Sequence, residues 1–250
     1  MKYKKYNNEL IENVIKDINN GKSKSSISIK YNIPKTTIKY WYNNKIDEKK
    51  EKNKINFSTL DYNSYSYILG IYLGDGYINK MNRTWRLRIF LDKRQNLVID
   101  ECIKNLKILF PNNKISIIKT KHNYVIINLY SNKLPELFPH LGKGEKYKRK
   151  IEFNDKQINI INYDKLMRGL FHSDGSFYIA DNKYPRYQFT NKSIDLINIF
   201  KFCMIRNGLI PKYRKRKNKI YDIQIQKRSD VDKLYPYLGE KYYIKKFVSL

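Results

Sequence analysis

The sequence predicts an α+β protein in which two similar halves follow a small all-helical domain. Residues 1–45 carry apolar side chains at helical spacing, and residues 46–61 form a charged linker that is nearly free of core-forming side chains. A series of landmarks in residues 62–151 returns in the same order in residues 152–250. Each half is predicted as helix, two strands, helix, two strands and a final helix. We therefore expect two αββαββα repeats related by a pseudo-two-fold axis.

The first domain has the pattern of a helix-turn-helix. Apolar residues from Leu10 to Ile18 indicate a first helix that ends before Gly21, and Ser23 can cap a second helix. Asn32 tolerates a left-handed turn, and Pro34 suits the first turn of a third helix. The spacing of these residues predicts three short helices with one shared apolar core.

The third helix is the element of this domain that we expect to contact DNA. In a helix-turn-helix the second helix of the pair enters a major groove. The alternative is a three-helix bundle that has a basic surface and makes no groove contacts. The side chains near the exposed side of the third helix are Lys35, Thr36, Thr37, Lys39, Tyr40 and Asn43.

The internal repeat is clearest where a helix is expected to lead into a strand. Residues 67–77 (YILGIYLGDGY) correspond to residues 166–176 (LMRGLFHSDGS). Further along, residues 137–142 (LFPHLG) correspond to residues 234–239 (LYPYLG). Because the landmarks keep their order at similar offsets, we interpret the two halves as copies of one fold.

The predicted strands alternate between apolar and polar side chains. Leu87, Ile89 and Leu91 share one face of a strand, while Arg86 and Arg88 share the other. A sheet of this kind can pack its apolar face on helices and present its polar face to DNA, where Arg favours guanine and Gln favours adenine. The strand residues expected to contact DNA are Arg86, Arg88, Arg186, Gln188, Lys212, Arg214, Arg216, Gln224 and Gln226.

The overall charge favours a polyanionic partner. The 250 residues carry a formal net charge of +28, and a hydrophobic content of 41% is sufficient to form a core. The two cysteines, Cys102 and Cys203, cannot form a disulfide framework or a four-ligand zinc site. The sequence contains neither a secretory segment nor a long apolar run, so we expect an intracellular protein that works with nucleic acid.

An acidic residue follows each of the two repeated helices. Gly70 and Gly74 are four residues apart and make a flat helix face, and the second half has the same spacing of small residues. If the two helices pack together, Asp75 and Asp174 lie side by side. Each acid alone fits an ordinary helix-ending turn, whereas the duplicated arrangement favours a paired site. Two close carboxylates that face phosphates call for divalent cations such as Mg²⁺, so the expected reaction is phosphodiester hydrolysis.

Residues 68–76 (ILGIYLGDG) and 167–175 (MRGLFHSDG) resemble the two signature motifs of the LAGLIDADG homing endonucleases. The resemblance extends over residues 62–250. It implies a monomer whose two halves straddle double-stranded DNA with a saddle of β-strands. It also implies a site-specific endonuclease that cleaves both strands of a long, asymmetric target site.

The resemblance also implies roles for individual residues. The last acid of each motif, Asp75 and Asp174, is expected to bind Mg²⁺ or Mn²⁺. A lysine late in each repeat is expected near the scissile phosphate, and Lys146 and Lys241 fit best because each lies in a Glu-Lys-Tyr segment. The backbone carbonyl groups expected to help bind the metal are those of Gly74 and Ser173. The lysines that compete with the two preferred ones are Lys143, Lys148, Lys150 and Lys245.

Two other functions fit the same scaffold. A DNA-binding transcriptional regulator could use the fold without cutting DNA, although relatives of that kind usually lose the acids that are retained here. An intron maturase could use the fold to bind RNA. The retained acids favour the nuclease over the regulator, whereas nothing in the sequence separates the nuclease from the maturase.

Overall fold

The computed structural model describes residues 6–44, 55–139, 141 and 145–241. The chain forms two compact units that divide between Lys54 and Ile55. This division falls inside the predicted linker, residues 46–61. Ile55, Phe57 and Leu60 pack against the core of the second unit, because their apolar side chains are excluded from water there.

The first unit is a three-helix arrangement over its described residues. Its helices are Asn8–Asn19 (α1), Lys24–Tyr31 (α2) and Lys35–Asn44 (α3). Asn32 adopts the predicted left-handed conformation with φ of 51° between α2 and α3. The buried core of the unit consists of Val14, Ile27, Ile33, Ile38 and Trp41.

The second unit contains two repeats of the same order of elements. The first repeat consists of helix Tyr62–Asp75 (α4), strands Gly76–Lys80 (β1) and Trp85–Asp92 (β2), helix Asn96–Leu109 (α5), strands Ile115–Lys119 (β3) and Tyr124–Tyr130 (β4), and helix Leu134–Leu137 (α6). A short helix that the sequence did not predict, Asp155–Ile160 (α7), lies at the start of the second half, before its motif helix. The second repeat consists of helix Tyr163–Asp174 (α8), strands Gly175–Ala180 (β5) and Tyr184–Asn191 (β6), helix Ile194–Arg206 (α9), strands Lys212–Lys215 (β7) and Tyr221–Ile225 (β8), and helix Arg228–Leu238 (α10).

Each repeat forms one antiparallel four-stranded sheet. The strand orders are β1-β2-β4-β3 and β5-β6-β8-β7, so the two sheets have the same topology. The register is also shared, because Gly76 pairs with Ile89 in the first sheet and Gly175 pairs with Phe189 in the second. The predicted α+β fold with two αββαββα repeats is therefore confirmed.

Helices α4 and α8 pack directly on each other between the two sheets. A Cβ atom added to Gly169 would lie 2.2 Å from the Tyr67 carbonyl oxygen, and one added to Gly70 would lie 2.5 Å from the Leu166 carbonyl oxygen. The glycines thus allow two backbones to touch. A buried hydrogen bond of 2.9 Å between the Tyr67 hydroxyl group and His172 Nδ1 also joins the two helices.

A partly buried ion pair also joins the two repeats. Glu101 on α5 accepts two hydrogen bonds of 2.7 Å from the Arg168 guanidinium group on α8. The side chains are only 25% and 19% exposed, so removing one charge leaves the other poorly hydrated. We expect Glu101→Ala to lower the free energy of unfolding by about 2 kcal/mol, measured by urea denaturation.

The control for this variant is Asp232→Ala on α10. Asp232 pairs with Arg228, but these side chains are 61% and 74% exposed. We expect a change within about 0.5 kcal/mol, because water already screens the pair. Equal effects of the two variants would contradict a structural role for the Glu101–Arg168 pair.

Candidate active site and its flanking strands

The two motif acids lie at the ends of the paired helices. Helix α4 ends at Asp75 and helix α8 ends at Asp174, and each acid is followed at once by a strand. A Cβ atom added to Gly74 would lie 2.1 Å from Ser173 Oγ and 2.7 Å from Asp174 Oδ2. The close approach of the helices therefore brings the C-terminal end of α4 against the acid of the other repeat.

The ionisation of the acids and of two neighbouring lysines is strongly perturbed. Burial and, to a lesser extent, the negative charge of Asp174 raise the pKa of Asp75 to about 7, although Lys241 and Lys146 oppose the rise. Burial also raises the pKa of Asp174. Burial lowers the pKa of both lysines to about 8, although the two acids oppose that change. The four side chains thus form one electrostatic cluster that straddles the two repeats.

Lys146 and Lys241 contact the ends of the motif helices. The Lys146 ammonium group, which has three N–H donors, lies within hydrogen-bond distance, 2.7–3.0 Å, of the carbonyl oxygens of Tyr72, Leu73, Gly74 and Gly76. The Lys241 ammonium group donates to Gly175 at 2.6 Å and to Ser173 at 3.3 Å. Each lysine therefore places a positive charge at the negative end of a helix dipole and beside an acid.

Two of the competing lysines lie elsewhere. Lys148 forms an ion pair with Glu145, and Lys150 forms one with Glu152, and all four side chains are exposed. Lys143 and Lys245 lie outside the described residues. Within the described chain, Lys146 and Lys241 are the candidates that the fold brings to the acids.

Asn191 is a residue of the site that sequence reasoning missed. Its Nδ2 atom donates to Asp174 Oδ2 at 2.9 Å from the last position of β6. The strand register places Leu91, a buried apolar residue, at the equivalent position of the first repeat. The two acids therefore have different neighbours, and only a comparison of the two registers could have signalled this from sequence.

The oxygens available at the site suit a hard divalent cation. Two carboxylates and the nearby carbonyl groups of Gly74 and Ser173 provide the oxygen ligands that Mg²⁺ and Mn²⁺ prefer. In the described residues no group of three or more His, Cys, Asp or Glu side chains forms a complete metal site. A cation held by this pair therefore needs further oxygens from water or from a phosphate group. The adjoining cavity, about 490 Å³ and lined by Lys146, Asp174 and Asn191, leaves room for them.

The strands that follow the acids carry the predicted polar faces. Leu87, Ile89 and Leu91 are buried, so the alternating residues Arg86 and Arg88 point to the outward face of the first sheet. Two of the outward residues are engaged within the sheet: the Arg86 Nε atom donates to Asn128 Oδ1 at 2.6 Å, and the Arg88 guanidinium group lies over the Tyr77 ring. In the second sheet, the predicted polar side chains that point outward lie on β6, β7 and β8 and on the residues that directly follow β7 and β8. They are Arg186, Gln188, Lys212, Arg214, Arg216, Gln224 and Gln226.

In the first unit, α3 presents most of the predicted contact residues to solvent. Lys35, Thr36, Lys39 and Tyr40 are exposed and Thr37 is half-buried. Ile38 and Trp41 point inward to the core, as the helical spacing predicted. The side chain of Asn43 lies outside the described part of the chain.

The duplicated αββαββα fold with an acid at the end of each central helix is the arrangement that the resemblance to the LAGLIDADG homing endonucleases implies. Residues 163–239, from α8 to just beyond α10, match the family model of a LAGLIDADG-like domain, which confirms the resemblance seen in the sequence. Residues 11–51 match the model of the CENP-B N-terminal DNA-binding domain. The second repeat thus resembles a LAGLIDADG-like domain, and the helical unit resembles a known DNA-binding module.

The solved structures that are similar to this chain have low sequence identity to it. A variant of the homing endonuclease I-DmoI, in complex with its target DNA and in the presence of Mn, has a TM-score of 0.50 and 18% identity over 72% of this chain and 95% of that chain. Full-length DUF199/WhiA from Thermatoga maritima has a TM-score of 0.49 and 14% identity over 71% of this chain and 55% of that chain. A search of curated proteins finds no significant match. Among the described residues, no helix is long and apolar enough to cross a membrane.

Proposed function

We propose that this protein is a site-specific, metal-dependent DNA endonuclease of the homing type that acts as a monomer on a long, asymmetric duplex target. The observation that carries the proposal is the pairing of Asp75 and Asp174 at the junction of the two repeats. Strands β1 and β5 both begin at these acids. A duplex that lies along the outward faces of the two sheets would therefore bring its backbone to the acids.

The acids, the carbonyl groups and the lysines of the site would have different catalytic roles. Bound Mg²⁺ or Mn²⁺ would activate a water molecule and stabilise the leaving oxygen of the phosphodiester. Asp75 and Asp174 would hold the metal, with the carbonyl groups of Gly74 and Ser173 nearby. The lysine ammonium groups carry positive charge within the same electrostatic cluster, so they can neutralise charge that develops on the phosphate group.

The outward faces of the sheets have polar groups that suit nucleic acid. Among the described residues, three buried side-chain atoms lack a hydrogen-bond partner: Asn79 Oδ1, Arg88 Nε and Arg186 Nε. All three residues lie on the faces opposite the apolar cores. Buried polar groups in folded proteins normally have partners, so we infer that bound DNA supplies them as the side chains rearrange. The net charge of +28 favours the same partner.

The direct test is cleavage of a duplex DNA library. The full chain is incubated with the library and Mg²⁺, and the ends of the cleaved fragments are sequenced. We expect paired cuts within one long sequence, and no cuts when EDTA replaces Mg²⁺. Sequence-selective binding without cutting would instead support the regulator, and selective binding of RNA would support the maturase.

The helical unit should add affinity without adding catalysis. We expect a fragment of residues 55–250 to fold and cleave but to bind its target about tenfold or more weakly, because it lacks phosphate and groove contacts from α3. Measurement of Kd at two salt concentrations should give a shallower salt dependence for the fragment. Full-length protein with Lys35→Ala and Lys39→Ala is the matched variant and should change in the same direction. An aggregated fragment would show instead that the helical unit is needed for the second unit to fold.

A further inference from the structure

A continuous row of hydrogen-bonded side chains crosses the outward face of the second sheet. It runs from Asp222 on β8 through Thr190, Gln188, Gln224 and Gln226 to Lys212 on β7. We call this row the glutamine relay. It links three strands, and it includes four of the side chains that were expected to contact DNA, namely Gln188, Lys212, Gln224 and Gln226.

The relay has a fixed direction at its Asp222 end. The carboxylate can only accept, so the Thr190 hydroxyl group donates to it at 2.7 Å. The Thr190 oxygen is then left to accept a hydrogen bond of 2.8 Å from Gln188 Nε2. Gln188 Oε1 in turn accepts from Gln224 Nε2 at 2.8 Å and from the Tyr178 hydroxyl group at 3.1 Å.

The other end of the relay imposes the same direction. Gln226 Nε2 donates to Gln224 Oε1 at 2.8 Å, and Gln226 Oε1 accepts from Lys212 Nζ at 3.0 Å. An ammonium group can only donate. An acceptor at one end and a donor at the other therefore settle which amide atom of each glutamine is oxygen and which is nitrogen.

Asp222 does not itself face a ligand. Its carboxylate is fully buried and also accepts from Arg216 Nε, whose side chain is 43% exposed. In the first sheet the equivalent register position holds Ile126, which pairs with Phe90 as Asp222 pairs with Thr190. A carboxylate on a face that meets phosphates is unfavourable unless it is covered, and here Thr190 and Arg216 both donate hydrogen bonds to it.

We propose that Asp222 is a positioning residue that sets the base preference of the second sheet by fixing the amide orientation of Gln188. The inference rests on the proposed DNA-binding function. Gln188 Oε1 already accepts two hydrogen bonds, so the atom that Gln188 can still offer is its second Nε2 hydrogen. This donor suits the acceptor edges of guanine, adenine N7 and thymine O4 in the major groove, and it disfavours cytosine. The paired contact of glutamine with adenine, which needs Oε1 as an acceptor, is blocked.

Asp222→Asn should reverse the direction of hydrogen-bond donation along the glutamine relay without changing the positions of its threonine and glutamine side chains. The asparagine oxygen satisfies Arg216 when its Nδ2 atom donates to Thr190. The Thr190 hydroxyl group then donates to Gln188, the three amides turn over, and Lys212 moves away into solvent. Gln188 would present oxygen to the groove, which suits the amino groups of cytosine and adenine.

A second variant tests the same link without altering the ion pair. Thr190→Val keeps the shape of the side chain and leaves Asp222 with Arg216. It removes the acceptor of Gln188 Nε2 and leaves only Lys212, whose exposed side chain can turn into solvent, to hold the direction of the relay, so the amide can adopt either orientation. At the target position where Asp222→Asn reverses the base preference, we expect Thr190→Val to weaken that preference.

The experiment is selection of bound duplexes from a randomised library in EDTA, so that cleavage does not enter. We expect Asp222→Asn to shift preference toward cytosine and adenine by about five- to tenfold at one or two adjacent positions and to leave the others unchanged. Asp232→Asn on the exposed surface of α10 is the control and should reproduce the wild-type profile. An unchanged profile, or a uniform loss of affinity, in folded Asp222→Asn or in Thr190→Val overturns the inference. If wild-type protein selects no sequence, the proposed DNA function itself fails, and this is visible before any variant is compared.

Discussion

Replacing either motif acid with its amide should abolish double-strand cleavage. We expect Asp75→Asn and Asp174→Asn to lower the rate of double-strand cutting by at least about a hundredfold, because each removes a charged oxygen that would hold the metal. The substitution keeps the size of the side chain and removes one negative charge beside the phosphates. Binding of the target, measured in EDTA, should therefore remain within about threefold of wild type or become slightly tighter.

Three results complete this test. Asp232→Asn, at an exposed position, should cut at the wild-type rate. Each single acid variant should be assayed for nicking as well as for double-strand cutting, since the two acids have different neighbours. Cleavage by the double variant, Asp75→Asn with Asp174→Asn, would contradict the catalytic role of the two acids and leave only the binding function.

Adding one methyl group at the contact between α4 and α8 should destabilise the second unit more than almost any substitution on its surface. The Cβ atom of Gly169→Ala would meet the Tyr67 carbonyl oxygen at 2.2 Å, and the backbone of α4 can move away only if the repeats separate. We expect a loss of about 3 kcal/mol or more. For a domain of this size that loss corresponds to a decrease of Tm by about 6–12 °C.

Gly208→Ala serves as the matched control for this variant. Gly208 has φ of +71° but nothing within 4 Å of an added Cβ, so the substitution introduces backbone strain without a clash. Strain of this kind costs about 1–2 kcal/mol. Gly169→Ala should be clearly the more destabilising of the two, and an equal or smaller effect would show that α4 and α8 have room to relax.

The repeat, the paired acids and the faces of the strands could be predicted from the sequence. These features depend on local rules, because residues that alternate along a strand must point to opposite faces and small residues four apart must share a helix face. Leu87 and Ile89 are buried as that rule requires. Lys146 and Lys241 could also be selected as candidates, although only their place in a repeated Glu-Lys-Tyr segment separated them from many other lysines.

The tertiary structure alone decided which side chains act together. Asn191 reaches Asp174 across 17 residues of sequence, and Gln224 reaches Gln188 across 36. Such contacts depend on the register of paired strands, and a shift of one residue would send every side chain to the other face. For the same reason the sequence predicted glutamines free to read adenine, whereas the structure joins them in a relay that ends at a buried carboxylate. Local spacing fixes where a side chain points, but only the packed sheets determine which hydrogen-bonding groups remain for a ligand.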